Sequence, residues 1–363
     1  MDSGIFSPML PQRCIQMETT DDSGKRVTLY AKERLRHREK LDRRERYEID
    51  TRGWTFQEFI LPPRVLRYGK HDISWRCREA CTCECELRGG INGSWSVIAA
   101  RLDLKEPEKA LEWWKYILTD YTSRHLSNSN DKLPALSGLA QTYRKATHDT
   151  YLAGLWKTSL LRDLLWYVEG IEGLGWRPAQ YRAPSWSWAS IDLPRNSKMA
   201  FFRTEGDMVA RPVCTPLNVV CPLQTSDPFG RVGVCQLEIR VRLFRIMVTG
   251  NSKSRRLWGM SQIHGFMRAA TCRLDSKMEN DSLKEGDEVY CAPILEASET
   301  RICCLMLKQL QDRQYTRIGF CELGMQIHDW DHRTPEACFR IAEKLQKDGF
   351  ELNADSLSSI VVL

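Results

Sequence analysis

The stretch at residues 52–77, RGWTFQEFILPPRVLRYGKHDISWRC, constrains the fold most, because it places helix, turn and strand signals side by side. Thr55 and Glu58 have the spacing of a capping box, in which a hydroxyl and a carboxylate each satisfy a free backbone N–H at a helix start. Pro62 and Pro63 then end the helical turn, because proline has no backbone N–H. The runs on either side of GKHD are β-prone and predict a hairpin. We therefore expect a capped helical turn followed by two antiparallel strands.

Four helical segments are predicted between this stretch and the middle of the chain. Their apolar residues recur every three or four positions, which is typical of one buried helix face. The segments are 107–125, which has a proline in its first turn, then 135–147, a short turn at 149–156, and 160–168. Together they predict a helical layer.

Strand signals dominate the chain after residue 192. Partly alternating, β-branched runs broken by Pro, Gly and Asn-Ser predict antiparallel pairing. They are found at 232–248, 288–295, 302–307 and 316–323. A last helix is expected at 334–347, and the opening 25 residues are expected to be irregular, with a strand at 26–31.

The chain is thus predicted to be an α+β protein with four regions. Residues 1–50 form an irregular, charged segment, 51–192 contain the helical layer, 193–325 form a β-rich antiparallel domain, and 326–363 hold a C-terminal helix and tail. A length of 363 residues allows more than one domain.

The run SWSW at residues 185–188 has two possible uses. If the segment is extended, alternation places Trp186 and Trp188 on one face. They would then form a stacking platform for a nucleotide or carbohydrate, or they would anchor the core. We favour the core, because two buried indoles contribute several kcal/mol of apolar burial.

Composition argues against nucleic acid and membranes as partners. The 53 basic and 47 acidic residues leave a net charge of +6, which is mild for this length. The charge-dense stretch 32–46 is either a patch for nucleic acid or an acidic partner, or a solvated helix or loop, and its interspersed acids favour the second. No apolar run reaches the length of a membrane span. Since no signal peptide is recognised, the fourteen cysteines are expected to be reduced thiols of a cytoplasmic protein.

Motifs for chemistry are sparse. Phosphate-binding loops, zinc-protease helices and hydrolase elbows have no match in the sequence. Cys77, Cys81, Cys83 and Cys85 could hold zinc, but their spacing is unlike the paired motifs of structural zinc sites, and reduced loop cysteines are the favoured interpretation. The cluster from His328 to His332 is read as an exposed loop in preference to a metal site. No cofactor is expected.

Residues 52–66 resemble the third sequence block of the fungal heterokaryon incompatibility (HET) domain. That block has an arginine, a Trp-Thr pair, a Gln-Glu pair, leucines and a PRVL element. The matching residues include Arg52, Trp54, Thr55, Gln57, Glu58, Pro63 and Arg64, with Trp75 and Cys77 in the usual continuation. Further resembling runs are DKLPALSGLA at 131–140, YLAGLW at 151–156, YRAPSWSWASID at 181–192 and, more weakly, YTRIG at 315–319.

The resemblance implies a remnant of an α/β, TIR-like domain, because two earlier HET blocks are not found upstream of Arg52. It implies a role in fungal non-self recognition and programmed cell death, exerted by association with other proteins and without catalysis. One alternative is a TIR-like, NAD-cleaving hydrolase that a partner or a missing N-terminus completes, with Glu58 as the candidate catalytic residue. Another is an inactive, truncated fragment.

Overall fold

The structure, a computed structural model, divides the chain into two compact units, residues 1–106 and 107–363. It describes residues 14–32, 48–68, 73–77, 81–83, 107–170, 174–194, 197–201, 211–248, 260–263, 266–284, 286–298, 301–324 and 358–363. The single boundary after residue 106 differs from the predicted divisions at 50, 192 and 325. The predicted helix at 334–347 lies outside the described residues.

The first unit begins with a two-stranded ribbon, β1 (Cys14–Thr20) and β2 (Arg26–Lys32), paired antiparallel. The prediction of an irregular N-terminus is wrong for β1, while the strand predicted at 26–31 is confirmed. The turn between the strands explains the difference. The Asp21 carboxylate accepts hydrogen bonds from the backbone N–H groups of Ser23 and Lys25, both at 3.0 Å, and Gly24 supplies the positive φ of 80°.

The 52–77 stretch forms the rest of the described first unit. A 3₁₀ turn (Glu48–Thr51) leads into α1 (Trp54–Ile60), and β3 (Arg64–Tyr68), β4 (Ile73–Cys77) and β5 (Cys81–Cys83) form an antiparallel sheet. The predicted hairpin is confirmed. The predicted capping box is wrong, because the Thr55 hydroxyl donates to the carbonyls of Ile49 at 2.6 Å and Arg52 at 2.9 Å. The 3₁₀ turn brings these acceptors to Thr55, and α1 has Gly53 as its N-cap without a side-chain cap.

The second unit starts with helices that bury the predicted faces. They are α2 (Pro107–Tyr121), α3 (Ser137–Thr147) and the short α4 (Leu160–Asp163), with 3₁₀ turns at Ser129–Asp131, Pro134–Leu136 and Trp188–Ser190. In α2 the buried positions are Ala110, Trp113, Trp114, Ile117, Leu118 and Tyr121. The helical layer is therefore present, although it is shorter than predicted.

Two of the predicted helical segments contain strands. The turn expected at 149–156 is a small hairpin of β6 (Tyr151–Leu152) and β7 (Leu155–Trp156). The helix expected over 160–168 ends at Asp163, and β8 (Trp166–Gly170) pairs antiparallel with β9 (Ser197–Phe201). Aromatic and β-branched residues fit a pleated surface, so pairing with a distant strand overrides the local leucine periodicity.

A ten-stranded sheet forms most of the second unit, which confirms a mixed, β-rich α+β architecture. Its strands are β10 (Arg211–Pro212), β11 (Thr215–Val220), β12 (Gln236–Val241), β13 (Phe244–Met247), β14 (Met260–Ile263), β15 (Phe266–Leu274), β16 (Glu288–Ser298), β17 (Arg301–Gln311), β18 (Gln314–Gly324) and β19 (Ser358–Val362).

The main path through this sheet is β10-β16-β17-β18-β19-β12-β11, with β13 also on β16, β15 also on β18, and β14 on β15. Pairing is antiparallel except between β18 and β19. One further helix, α5 (Lys277–Ser282), follows β15. Among the helices of the described ranges, none combines the length and apolar character that a bilayer crossing requires.

Candidate functional site: an interlocked core of tryptophans and arginines

The backbone carbonyl of Gly154 joins two of the tryptophan-containing segments. It accepts hydrogen bonds from the indole N–H of Trp114 at 3.1 Å and of Trp188 at 3.0 Å. Gly154 lies in the β6–β7 turn with φ of +97°, a conformation that favours glycine. A Cβ at this position would lie 2.6 Å from Nε1 of Trp188. The glycine in the turn of YLAGLW thus allows the Trp188 indole to approach the backbone closely.

Trp186 and Trp188 are fully buried, so they do not form an exposed stacking platform. The segment is not extended, because the chain turns at Ser185 and forms a 3₁₀ turn over Trp188–Ser190. The Ser187 side chain explains this, since its Oγ accepts from the N–H of Ala189 at 3.0 Å and donates to the carbonyl of Ala153 at 2.5 Å. The serines of SWSWAS therefore satisfy backbone groups within the core.

Aromatic rings extend this packing into the helical layer. Tyr143 of α3 stacks on Trp156 with ring centroids 4.2 Å apart, and Trp114 of α2 meets Trp156 edge-on at 5.4 Å. Tyr121 meets Trp188 edge-on at 6.1 Å. Such pairs contribute about 0.5–1.5 kcal/mol each beyond the area that they bury.

Arg317 of β18 is the most deeply enclosed charge of this core, with no exposed surface. Its guanidinium donates to both carboxylate oxygens of Asp275, at 2.9 and 3.0 Å, and to the carbonyls of Leu164 and Trp166. The guanidinium carbon lies 3.4 Å from the ring centroid of Trp166. Burial lowers the pKa of Arg317, and the adjacent Asp275 carboxylate opposes this. The guanidinium thus combines a bidentate ion pair, hydrogen bonds to carbonyls and a contact with an aromatic ring, which are interactions typical of arginine.

The backbone of Arg317 also binds the SWSW segment. Its N–H donates to Oγ of Ser185 at 2.9 Å, and its carbonyl accepts from Nη2 of Arg177 at 2.7 Å. Ser185 in turn donates through its backbone N–H to the carbonyl of Leu363 at 2.9 Å, next to β19. The YTRIG and SWSW segments, both of which resemble HET sequences, are therefore in direct contact.

Arg177 connects the network to α5. Its Nε donates to Glu279 at 2.5 Å and its Nη1 donates to Oγ of Ser190 at 2.9 Å, while its Nη2 lies 3.5 Å from Asp275. Burial raises the pKa of Glu279, and the Arg177 guanidinium opposes the rise. Two arginines thus face two carboxylates, and their charges balance.

A second ion cluster lies at the other end of the SWSW segment. The Asp192 carboxylate is 2.9 Å from Nη2 of Arg182 and 3.3 Å from Nζ of Lys132. Burial, reinforced by the positive charge of Arg182, lowers the pKa of Lys132 to about 8. Burial alone would raise the pKa of Asp192, but the two cations together lower it. Lys132 belongs to the DKLPALSGLA run, so a third resembling segment joins the same core.

Asp163, at the end of α4, is a further buried carboxylate. It accepts from Oγ of Ser159 at 2.5 Å and lies 3.5 Å from Nζ of Lys115. Burial raises its pKa to about 6, and Lys115 and Ser159 limit the rise. Asp163, Asp192 and Lys132 are ionisable groups that could act as acids or bases, but each is paired with a neighbouring side chain in the core.

The residues of the 52–77 stretch lie in the first unit. Phe56 and Ile60 are buried. Arg67 and Arg76 lie over the ring of Phe59, with their guanidinium carbons 4.7 and 4.1 Å from its centroid. The other predicted motif positions lie at the surface or are partly exposed: Arg52, Trp54, Thr55, Gln57, Glu58, Pro63, Arg64 and Trp75.

Of the predicted candidates for chemistry, Glu58 is exposed on α1. Cys77 is partly buried, and Cys81 and Cys83 stand opposite Arg76 and Ser74 in β5. Cys85 and the His328–His332 cluster fall outside the described residues. In the ranges that the structure does describe, no three His, Cys, Asp or Glu side chains form a group that could hold a metal ion.

Sequence reasoning missed the central partners Arg317, Asp275 and Arg177. A charged residue that pairs with a residue 42 or 102 positions away leaves no periodic signal, so these residues look like ordinary surface charges. Arg317 and Gly154 were marked only by membership of the resembling runs YTRIG and YLAGLW.

Comparison with known proteins adds no relative: the chain matches no protein-family model, no curated protein and no solved structure.

Proposed function

We propose that this chain is a HET-family protein of fungal non-self recognition, which promotes programmed cell death by associating with other proteins. The observation that carries the proposal is the contact between separate resembling runs. YLAGLW, SWSWAS, DKLPALSGLA and YTRIG are far apart in sequence, yet Gly154, Ser185, Lys132 and Arg317 join them in one buried core. Separate motifs that pack into one core are expected when those motifs together define the fold of a family.

Association is favoured over catalysis because the core uses its reactive groups internally. Asp275 and Glu279 are bound by arginines, and Asp192 is bound by Lys132 and Arg182. The tryptophans that could have stacked on a nucleotide are buried. Glu58, the candidate for NAD cleavage, is exposed on the surface of a helix of seven residues.

Induced expression in hyphae of a filamentous fungus tests the proposal, with uptake of a vital dye as the measure of death. We expect death with the unaltered chain and with Glu58→Ala. We expect loss of death with Arg317→Met, which disrupts the core, and retention with the matched surface change Arg240→Met in β12.

The NAD content of the same hyphae, and NAD turnover by the purified chain, separate the two mechanisms. The association mechanism predicts no turnover and no change with Glu58→Ala. NAD loss that disappears in Glu58→Ala would show the TIR-like hydrolase instead. A folded chain that leaves hyphae alive in every strain tested would contradict the proposal and favour the inactive fragment.

A further inference from the structure

A disulfide bond between Cys221 and Cys235 closes the hairpin of β11 and β12. Val220 and Gln236 form the last pair of that ladder, so the bond lies one step beyond the strands. This pair differs from the reduced thiols expected from the sequence. The enclosed residues, 222–234, form a loop held across its own width by backbone bonds between Gln224 and Arg231 and between Gly233 and Pro222.

The enclosed loop contacts three of the resembling runs. Phe229 is buried and meets Tyr151 of YLAGLW edge-on, with ring centroids 5.3 Å apart. Arg231 lies 3.1 Å from Asp131 at the start of DKLPALSGLA. The disulfide therefore staples a loop that packs onto the tryptophan-containing core.

Tyr181, which begins the third run, binds the disulfide end of the loop directly. Its hydroxyl donates to the carbonyl of Gly233 at 2.8 Å and accepts from the N–H of Cys235 at 3.1 Å. Tyr181 is 46% exposed, so the disulfide end of the loop lies near the protein surface.

The two cysteines differ in exposure. Cys221 is partly exposed and Cys235 is fully buried. We therefore expect an external thiolate to attack Sγ of Cys221, with Cys235 as the leaving group. Cys235 Sγ lies 3.5 Å from the carbonyl of Gly233, which can accept a hydrogen bond from the thiol once it is protonated.

Other cysteines of the sheet provide an internal contrast. Cys291, Cys304 and Cys321 are fully buried, with Cys291 and Cys321 sulfurs 3.5 Å apart. Burial raises the pKa of Cys304 well above that of an ordinary thiol. Since the thiolate is the reactive form, these cysteines are expected to be inert in the folded protein.

We propose that Cys221–Cys235 is a thiol–disulfide exchange site for a small thiol or dithiol reductant, and that its reduction releases the 222–234 loop from the tryptophan-containing core. A thiolate attacks Cys221 Sγ, the disulfide bond breaks, and Cys235 leaves as a thiolate that takes up a proton. A second thiol then attacks the mixed disulfide on Cys221, which yields the oxidised reductant and a free Cys221 thiol. Two electrons pass from the two reductant thiols to the protein.

Native thiol labelling tests the exchange step. The full chain is equilibrated in glutathione buffers of graded reduced-to-oxidised ratio, alkylated with iodoacetamide and analysed by mass spectrometry. We expect Cys221 to gain label as reduced glutathione rises, and Cys235 to gain it through release of the loop, each about tenfold more than Cys291, Cys304 and Cys321. In Cys235→Ser, oxidised glutathione should form a mixed disulfide on Cys221. Labelling of the pair without reductant, or none until the protein unfolds, would overturn the proposal.

Hydrogen exchange tests the release step. Amides of 222–234 should exchange about tenfold or more faster in the reduced chain than in the oxidised chain, while those of β16 and β17 stay unchanged. The double variant Cys221→Ser/Cys235→Ser should exchange fast in both buffers, and the wild-type comparison stands alone if that variant fails to fold. Equal exchange of the loop in both redox states would refute release.

Discussion

Arg317 lies over the indole of Trp166, with its guanidinium carbon 3.4 Å from the ring centroid, while the same guanidinium forms a bidentate ion pair with Asp275. Both charges are almost completely removed from water. A buried ion pair is stable only when hydrogen bonds satisfy the remaining donors, and the carbonyls of Leu164 and Trp166 do so here. This one side chain therefore links β18 to β8 and to the residue that follows β15.

Arg317→Met should lower the free energy of unfolding by about 3–5 kcal/mol, because the buried Asp275 carboxylate loses both hydrogen bonds from Arg317 and keeps the Arg177 guanidinium 3.5 Å away. Urea denaturation followed by tryptophan fluorescence measures the change. The surface control Arg240→Met should change it by less than about 0.5 kcal/mol. Equal effects of the two substitutions would show that the buried pair is not a centre of stability.

Asp275→Asn, combined with Arg317→Met, tests whether the two residues act as a pair. The double variant should lose clearly less stability than the sum of the single losses, with a coupling of about 0.5–3 kcal/mol. Additive losses would indicate that each residue acts through other partners. The same denaturation measurement serves for all four proteins.

Gly154→Ala should destabilise the protein by about 2–4 kcal/mol, because the new Cβ meets the Trp188 indole and the backbone has a positive φ. Gly286→Ala is a matched control, since its φ of +92° is similar and nothing lies within 4 Å of the added Cβ. The control should cost only about 1–2 kcal/mol. Thermal or urea unfolding of the two variants isolates the indole contact, and equal losses would argue against it.

Asp163 should give the protein a specific pH dependence. Its folded pKa of about 6 lies above the ordinary value of 3.8, so the folded state binds more protons between these values. The contribution of Asp163 to the unfolding free energy therefore falls as pH rises from about 4 to about 6, by roughly 3 kcal/mol. Asp163→Asn should lack this component when both proteins are unfolded in urea across that range. If the difference in unfolding free energy between the wild type and Asp163→Asn were the same at all pH values, the raised pKa would be contradicted.

The second unit should fold without the first. A fragment of residues 107–363 contains the described network from Lys115 to Arg317 and is expected to unfold in one cooperative transition, followed by the fluorescence of its own tryptophans. Its urea midpoint should match the corresponding transition of the full protein. An aggregated or molten fragment would show that the boundary after residue 106 does not separate folding units.

Local patterns predicted much of the architecture. The hairpin of β3 and β4 followed from two β-prone runs around a short turn, and the buried faces of α2 and α3 followed from apolar spacing. The β-rich character of the chain after residue 192 came from alternating runs with breaks between them. Each of these features depends on residues close in sequence, which is where pattern reasoning is informative.

The failures arise from contacts that the local sequence pattern does not show. The leucine periodicity at 160–168 predicted a helix, but Trp166–Gly170 pairs with Ser197–Phe201. Thr55 was expected to cap α1, but its hydroxyl donates to the carbonyls of Ile49 and Arg52, which precede the helix. The pairing of Arg317 with Asp275 and the Cys221–Cys235 bond likewise depend on the fold that brings these residues together.

The central claim is that the tryptophans form a buried scaffold and not a nucleotide site. Its most direct test is an NMR spectrum of the indole N–H groups of tryptophan-labelled protein, recorded in deuterated solvent with and without NAD. The buried scaffold predicts that the indole N–H groups of Trp114, Trp166 and Trp188 exchange slowly, because each donates to a backbone carbonyl, and that NAD leaves their shifts unchanged. Rapid exchange of these three signals, or shifts that saturate with added NAD, would contradict it and place a nucleotide among the tryptophans.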